Sequence, residues 1–395
     1  MILAGLIVGS AVASAQTDPH TMKAIAKVDP RFQSYNVEMV EVIGGRFWKP
    51  YSSTPVKDMP APTTGTFGID PALYEQRTPV DLSNAKLRKL AAALGPSYLR
   101  VSGSWANTVY FQNSDAPAPA QPPTGFGGVL TRAEWKGVAD FAKATDSKIV
   151  TSFSITAGTR DANGVWTPAQ AESFLHYTNS IGAPIAAAEF MNEPTFISIA
   201  NVSKGYDGAA YGRDFAVFKP VFRKDAPGAL LVGPGSVGEG IPLAGGGMQL
   251  LSTDKLLNGT GAAAVDVFSY HMYPAVSERC AAHAPASMHI GTSPDEALTD
   301  EFLMKTDTVE QYYAKLRDQY APGKPMWLTE TGQAACGGDR WAATYLDTFR
   351  YLYQLGTLAR RNVQVVMHNT LDASDYGLID EKTLTPRPDY WAALL

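Results

Sequence analysis

Two short runs hold residue types that could work together as a proton donor and a nucleophile. Residues 188–194 read Ala-Glu-Phe-Met-Asn-Glu-Pro, so Asn192 and Glu193 close an apolar, strand-forming run and Pro194 ends it. Residues 326–332 read Met-Trp-Leu-Thr-Glu-Thr-Gly, a second apolar run that ends in a carboxylate, Glu330. Alone, either glutamate fits an ordinary surface carboxylate. Together, at the ends of two strands, they suit a pair in which one protonates a leaving oxygen and later activates water. The other attacks the anomeric carbon, with the two carboxyls about 5–5.5 Å apart. The acid needs a pKa raised by burial and nearby negative charge, whereas the nucleophile must stay ionised among hydrogen-bond donors.

Such a pair must be carried on one rim. Apolar and alternating runs predict strands over 35–43, 98–103, 148–156, 185–192, 229–232, 265–273, 326–331 and 363–371. Glu193 then ends the fourth strand and Glu330 the seventh. Helical patterns fall between them: 83–94, opening on a capping Ser83; 131–145, with Thr131 and Glu134 spaced as a capping box; 167–181, with Pro168 at the first helical position; 307–320; and 340–359. In a chain of 395 residues this alternation predicts an α/β fold, a (β/α)8 TIM barrel over 16–395 with its chemistry at the C-terminal strand ends. A doubly wound open sheet is the competing arrangement.

A formal net charge of −5 supplies no basic surface, which argues against a nucleic-acid partner. Beyond the start no apolar run reaches ~18 residues, so no stable membrane insertion is expected. Residues 1–15 are apolar and end in Ala13-Ser14-Ala15, the pattern of a cleaved signal peptide. The expectation is a secreted or periplasmic protein, in which Cys280 and Cys336 become disulfide candidates, with two buried thiols as the alternative. The histidines at 20, 176, 271, 283, 289 and 368 lack metal-ligand spacing, so neither a metal nor another cofactor is expected. The Gly-x-Gly-x-x-Gly run at 233–238 follows a strand, but Pro234 removes an amide and no helix pattern follows, which speaks against a dinucleotide site.

Four stretches spread over the chain carry a family likeness: 98–104 (Tyr-Leu-Arg-Val-Ser-Gly-Ser), 189–196, 328–338 and 375–391. With the Asn-Glu-Pro motif they resemble glycoside hydrolase family 79, the heparanase and β-glucuronidase family of clan A. The resemblance implies a retaining β-glycosidase acting on β-glucuronides, its partner a glucuronic-acid-containing oligo- or polysaccharide, with exo or endo action left open. It implies Glu193 as acid/base, Glu330 as nucleophile and Asn192 on the sugar 2-hydroxyl. The amides of Gly337 and Gly338, with the Tyr376 hydroxyl, would hold the glucuronate carboxylate, since successive N–H groups in a glycine turn form an anion nest. A plain turn is the other reading of those glycines. His271 and Tyr273 end the sixth strand, where a clan A tyrosine often bonds the nucleophile; packing at the barrel mouth is the alternative. Asn107 is expected to touch the sugar, and a Cys280–Cys336 bridge would clamp the loop carrying Gly337 and Gly338. The family also adds a C-terminal β-sandwich, expected to be largely absent from this chain, which ends in an uncapped apolar run at 390–395. Two rival functions remain: another clan A glycosidase on neutral sugars (a xylosidase or glucanase), and a non-catalytic carbohydrate-binding barrel.

Overall fold

The eight runs read as strands close into one barrel in the computed structural model, which describes residues 21–51, 71–197, 202–241, 250–262, 264–282 and 290–395. The leader-like segment, His20, His283 and His289 lie outside the described residues. The strands are β1 (Gln33–Asn36), β2 (Gly45–Trp48), β3 (Tyr74–Arg77), β4 (Ser97–Val101), β5 (Val109–Gln112), β6 (Gly128–Thr131), β7 (Ser147–Thr151), β8 (Ala187–Glu189), β9 (Leu230–Ser236), β10 (Val267–Met272), β11 (Met326–Thr331) and β12 (Val363–His368). The helices are α1 (Met39–Ile43), α2 (Ala85–Ala93), α3 (Arg132–Ala144), α4 (Ala169–Ser180), α5 (Gly208–Asp225), α6 (Thr253–Thr260), α7 (Glu278–Ala281), α8 (Asp300–Tyr320), α9 (Tyr345–Arg360) and α10 (Pro388–Ala393). Strands β1, β4 and β7 to β12 pair in parallel in chain order, and β12 returns to β1. A doubly wound sheet is thereby excluded, because it has two free edges.

Some local expectations need correction. The run at 35–43 is not one strand: β1 stops at Asn36 and the chain turns into α1, closed by a capping box between Glu38 and Glu41. Met39, Val40 and Val42 are buried there, and a short apolar run cannot distinguish a buried helical turn from a strand. Helix α2 is capped by Asn84, whose side chain accepts the Lys86 and Leu87 amides, while Ser83 bonds Asp81. Pro168 is the N-cap of α4 rather than its first helical residue. Helix α3 does open on the Thr131–Glu134 capping box. The antiparallel pair β2–β3 and the parallel pair β5–β6, both outside the barrel, were not among the expected strands. The glycine run at 233–238 lies largely within β9.

Side chains alternate along a strand, so every second residue enters the barrel. Tyr98, Val150, Ala187, Val232, Val267, Trp327, Val365 and Met367 form one apolar layer across seven strands, with the Tyr98 and Trp327 rings 4.7 Å apart. Two residues further along their strands come Arg100, Glu189, Ser269 and Thr329, all buried. The apolar layer is thus a floor, and a polar layer sits directly on it at the C-terminal end.

Candidate active site

Arg100 organises that polar layer. Its guanidinium donates to Glu189 Oε2 from Nε and Nη2 (3.1 and 2.8 Å), to Glu330 Oε2 from Nη1 (2.9 Å) and to Asn192 Oδ1 from Nη2 (2.7 Å). Glu189 Oε1 accepts from Ser269 and Thr329, each at 2.8 Å. Burial opposes ionisation of Glu189, but Arg100, His271 and these hydrogen bonds outweigh it and hold the carboxyl below its ordinary range. The Arg100–Glu189 pair is therefore a fixed ionic base under the cleft. Sequence reasoning missed both residues, although a charged side chain inside each of two apolar strand runs was the available signal: a buried charge needs a partner.

Glu330 reaches the cleft through a slip in the ladder. Tyr270 pairs with Leu328 but His271 with Glu330, so one residue of β11 is unpaired and the strand re-aims. Thr329 and Glu330 consequently both turn inward. Glu330 accepts on both oxygens, from Arg100 and from the Tyr273 hydroxyl at 2.7 Å. Burial and the Glu330 charge push Tyr273 well above its ordinary pKa, so it stays a donor.

Glu193 sits beyond β8 with φ 46°, a left-handed conformation unusual for a side-chain-bearing residue. Burial, opposed by Arg100 and aided by the Glu189 charge, pushes its carboxyl up to about 7. His271 Nδ1 lies 3.0 Å from Glu193 Oε1, and His271 Nε2 lies 3.2 Å from Arg100 Nη2. Burial lowers the imidazole to about 4, against the pull of the Glu330 charge, so the ring is neutral. Arg100 can only donate, so Nε2 accepts and the network assigns the ring proton to Nδ1, pointing at Glu193 Oε1. The proton of Glu193 itself is then left to Oε2.

One carboxylate oxygen each from Glu193 and Glu330 and one His271 nitrogen lie within 4.8 Å of one another. These are ligand types for a metal ion, but the Arg100 guanidinium is hydrogen-bonded to Glu330 and His271, and a cation there would face its charge. The donor set fits an acid beside an ionised carboxylate better.

Three sequence-predicted residues have other duties. Asn107 is buried and holds the Asn192 backbone: its Nδ2 donates to the Asn192 carbonyl (3.0 Å) and its Oδ1 accepts the Asn192 amide (2.9 Å). His271 likewise is fully buried with both nitrogens engaged, and it positions Glu193. Gly338 cannot contribute its amide to an anion site, because that N–H donates to the Ala334 carbonyl at 3.1 Å. One position earlier, the adjacent amides of Cys336 and Gly337 have no hydrogen-bond partner among the described residues. Gly337 must be glycine, with φ +83° and a Cβ that would fall 2.6 Å from Ser374 Oγ.

Tyr376 lines the same corner. Asn369 Nδ2 lies 3.0 Å from the hydroxyls of both Tyr376 and Tyr273 and 2.9 Å from Glu38 Oε1. Glu38, missed in the sequence because its run reads as strand, is pushed well above the usual carboxylate range by burial and then by the Glu330 charge. Its Oε2 has no hydrogen-bond partner among the described residues. Cys280 and Cys336 form a disulfide, joining α7 to the loop after β11.

Comparison with known proteins adds a lineage. Residues 77–356 match the family model described as glycosyl hydrolase family 79, N-terminal domain. Heparanase-like protein 1 of Arabidopsis thaliana is 28% identical over 342 residues, spanning 82% of this chain and 59% of that protein. A hyaluronoglucuronidase of Hirudo nipponia is 28% identical over 346 residues, 79% of this chain and 64% of its own. The chain therefore spans about three fifths of the length of these curated relatives. Among solved structures, an arabinofuranosidase of glycoside hydrolase family 51 from Xanthomonas axonopodis pv. citri aligns at TM-score 0.59 and 14% identity over 94% of this chain and 73% of its own. A 4-O-α-L-rhamnosyl-β-D-glucuronidase from Fusarium oxysporum 12S aligns at 0.53 and 14%, over 93% and 69%. At such identities these structures share the barrel fold.

Proposed function

Because the chain belongs to glycosyl hydrolase family 79, we propose that it is a retaining β-glycosidase that hydrolyses β-glucuronides. The observation that carries this reading is the approach of Glu193 and Glu330, oxygens within 4.8 Å, in environments that separate their roles. Glu330, held by Arg100 and Tyr273, attacks the anomeric carbon. Glu193 gives its Oε2 proton to the departing oxygen, which leaves as an alcohol while Glu330 forms a glycosyl ester. Glu193, now ionised, takes a proton from water, and that water cleaves the ester with overall retention. Asn192 has its Oδ1 fixed by Arg100, which leaves Nδ2 to meet the sugar 2-hydroxyl, a contact that strengthens toward the transition state.

For the substrate carboxylate, the free amides of Cys336 and Gly337 and the Tyr376 hydroxyl are the receptors. They are neutral donors, suited to a chain of net negative charge that must still accept an anion. Two relatives, the leech hyaluronoglucuronidase and the heparanase-like protein, support a glucuronic-acid-containing oligo- or polysaccharide as the partner. Export fits the leader-like pattern at 1–15 and the disulfide, which persists in oxidising compartments.

The test compares an aryl β-glucuronide with the matched β-glucoside and follows the first-formed anomer by NMR. The expected result is faster cleavage of the glucuronide with the β-anomer released first, and loss of turnover in Glu330→Gln. Preference for the neutral sugar would sink the carboxylate assignment; initial release of the α-anomer would sink the retaining mechanism.

A further inference from the structure

We infer that the Cys280–Cys336 disulfide is a positioning element of the substrate-binding corner, because one of its half-cystines, Cys336, itself carries one of the two adjacent unpaired amides that the glucuronide reading assigns to the substrate carboxylate. The inference rests on the glucuronide reading above and adds to it a dependence of substrate affinity on the thiol–disulfide state.

The argument begins with the loop backbone. From Ala334 to Gly338 every carbonyl is occupied: Ala334 by the Gly338 amide, Ala335 by the Ser277 amide, Cys336 by Ser277 Oγ at 3.0 Å, Gly337 by the Asp375 amide and Ser374 Oγ, and Gly338 by Arg279 at 3.2 Å. Of the five amides, those of Ala335 and Gly338 donate to the Ala275 and Ala334 carbonyls; of the three with no partner among the described residues, Cys336 and Gly337 are adjacent, and consecutive free amides are what an oxyanion needs.

Gly337 and Cys336 reach this arrangement on different terms. Gly337, at φ +83°, has no Cβ to strain. Cys336 holds φ +65°, a left-handed conformation that costs a side-chain-bearing residue free energy and persists only where the surroundings over-determine it. Here the surroundings are α7 and the residue before it. Ser277 grips the Cys336 carbonyl and Cys280 grips its side chain. Cys280 is buried in an apolar cluster with Leu73, Val276 and Ile290, against which Trp48 and Tyr74 also pack. Cutting the S–S bond frees the Cys336 backbone to relax toward an ordinary φ, and that rotation turns its N–H away from the substrate. Glu193 and Glu330 are not bonded to this loop, so the step that breaks the glycosidic bond is not directly altered.

The experiment measures kcat and KM separately on aryl β-glucuronide and aryl β-glucoside, for the parent, Cys280→Ser, and Cys280→Ser with Cys336→Gly. Losing one amide bond to a carboxylate should raise the glucuronide KM of Cys280→Ser roughly tenfold to a hundredfold, with kcat little changed. The glucoside, which has no carboxylate, should show the same kinetics as with the parent. Glycine adopts φ +65° without strain, so the double variant should recover a KM close to that of the parent although the bridge is gone. If Cys280→Ser binds the glucuronide as the parent does, or if glycine does not rescue it, the inference falls. A parent with no preference for the glucuronide refutes instead the reading on which it rests. Should Cys280→Ser not fold, a dithiol reductant applied to the folded parent opens the same bond: two protein thiols form and the reductant closes to its cyclic disulfide. An unchanged KM with two free thiols counted, or unfolding upon reduction, overturns the proposal.

Discussion

The proton on Glu193 sets the sharpest expectation. With a carboxyl pushed up to about 7, roughly 90% of the protein carries the acid at pH 6 and roughly 10% at pH 8. A glutamate at the ordinary 4.5 would be only about 3% protonated at pH 6. For a glucuronide with a poor leaving group, kcat/KM should therefore fall about tenfold from pH 6 to pH 8, because departure of the alkoxide needs that proton. An activated aryl glucuronide should show a shallower fall. Glu193→Gln should lose on the order of 10²–10⁴ in rate on the poor leaving group and lose the basic limb. Stability follows the same proton. The folded pKa is raised, so the folded state keeps a proton that the unfolded chain has released between pH 4.5 and about 7. That contribution is full below 4.5 and is lost as pH rises through 7, so Glu193→Gln should melt above the parent at pH 8 and level with it at pH 4. A basic limb centred below pH 6, or one that survives in Glu193→Gln, would show that another group supplies the proton.

Further perturbations test the rest of the site. Arg100→Met leaves Glu189 and Glu330 buried without their cation, so urea unfolding should report a loss of about 3–5 kcal/mol; a loss below about 1 kcal/mol would refute the fixed-base reading. Tyr273→Phe removes the hydroxyl from Glu330 and should lower kcat/KM roughly tenfold or more, with the far-UV spectrum unchanged. Gly337→Ala sets a Cβ 2.7 Å from Trp48 Cβ at φ +83°, so the glucuronide KM should rise roughly tenfold while kcat holds; an unchanged KM would remove this amide from the carboxylate site.

What the sequence disclosed and what it hid divide along one physical line. Periodicity reports burial, and every barrel strand is buried, so all eight were readable. The run at 35–43 misled for the same reason, because α1 buries its apolar residues as thoroughly as a strand would. Glu193 and Glu330 were visible because each interrupts an apolar strand at its end. Arg100 and Glu189 interrupt theirs in the interior, and their meaning depends on a partner 89 residues away in the chain. Hydrogen-bond direction was the least accessible layer. Asn107 is a polar residue in the expected place, yet both ends of its amide bind the Asn192 backbone. Two adjacent glycines suggested the anion nest, but the fold commits the Gly338 amide to the Ala334 carbonyl and moves the free pair one residue back, onto Cys336. A glycine marks where the backbone may adopt positive φ; it does not say which amide is left unpaired. That depends on which carbonyls the neighbouring segments claim, and here α7 and the residues following β12 claim them, so the disulfide at Cys336 comes to bear on the substrate.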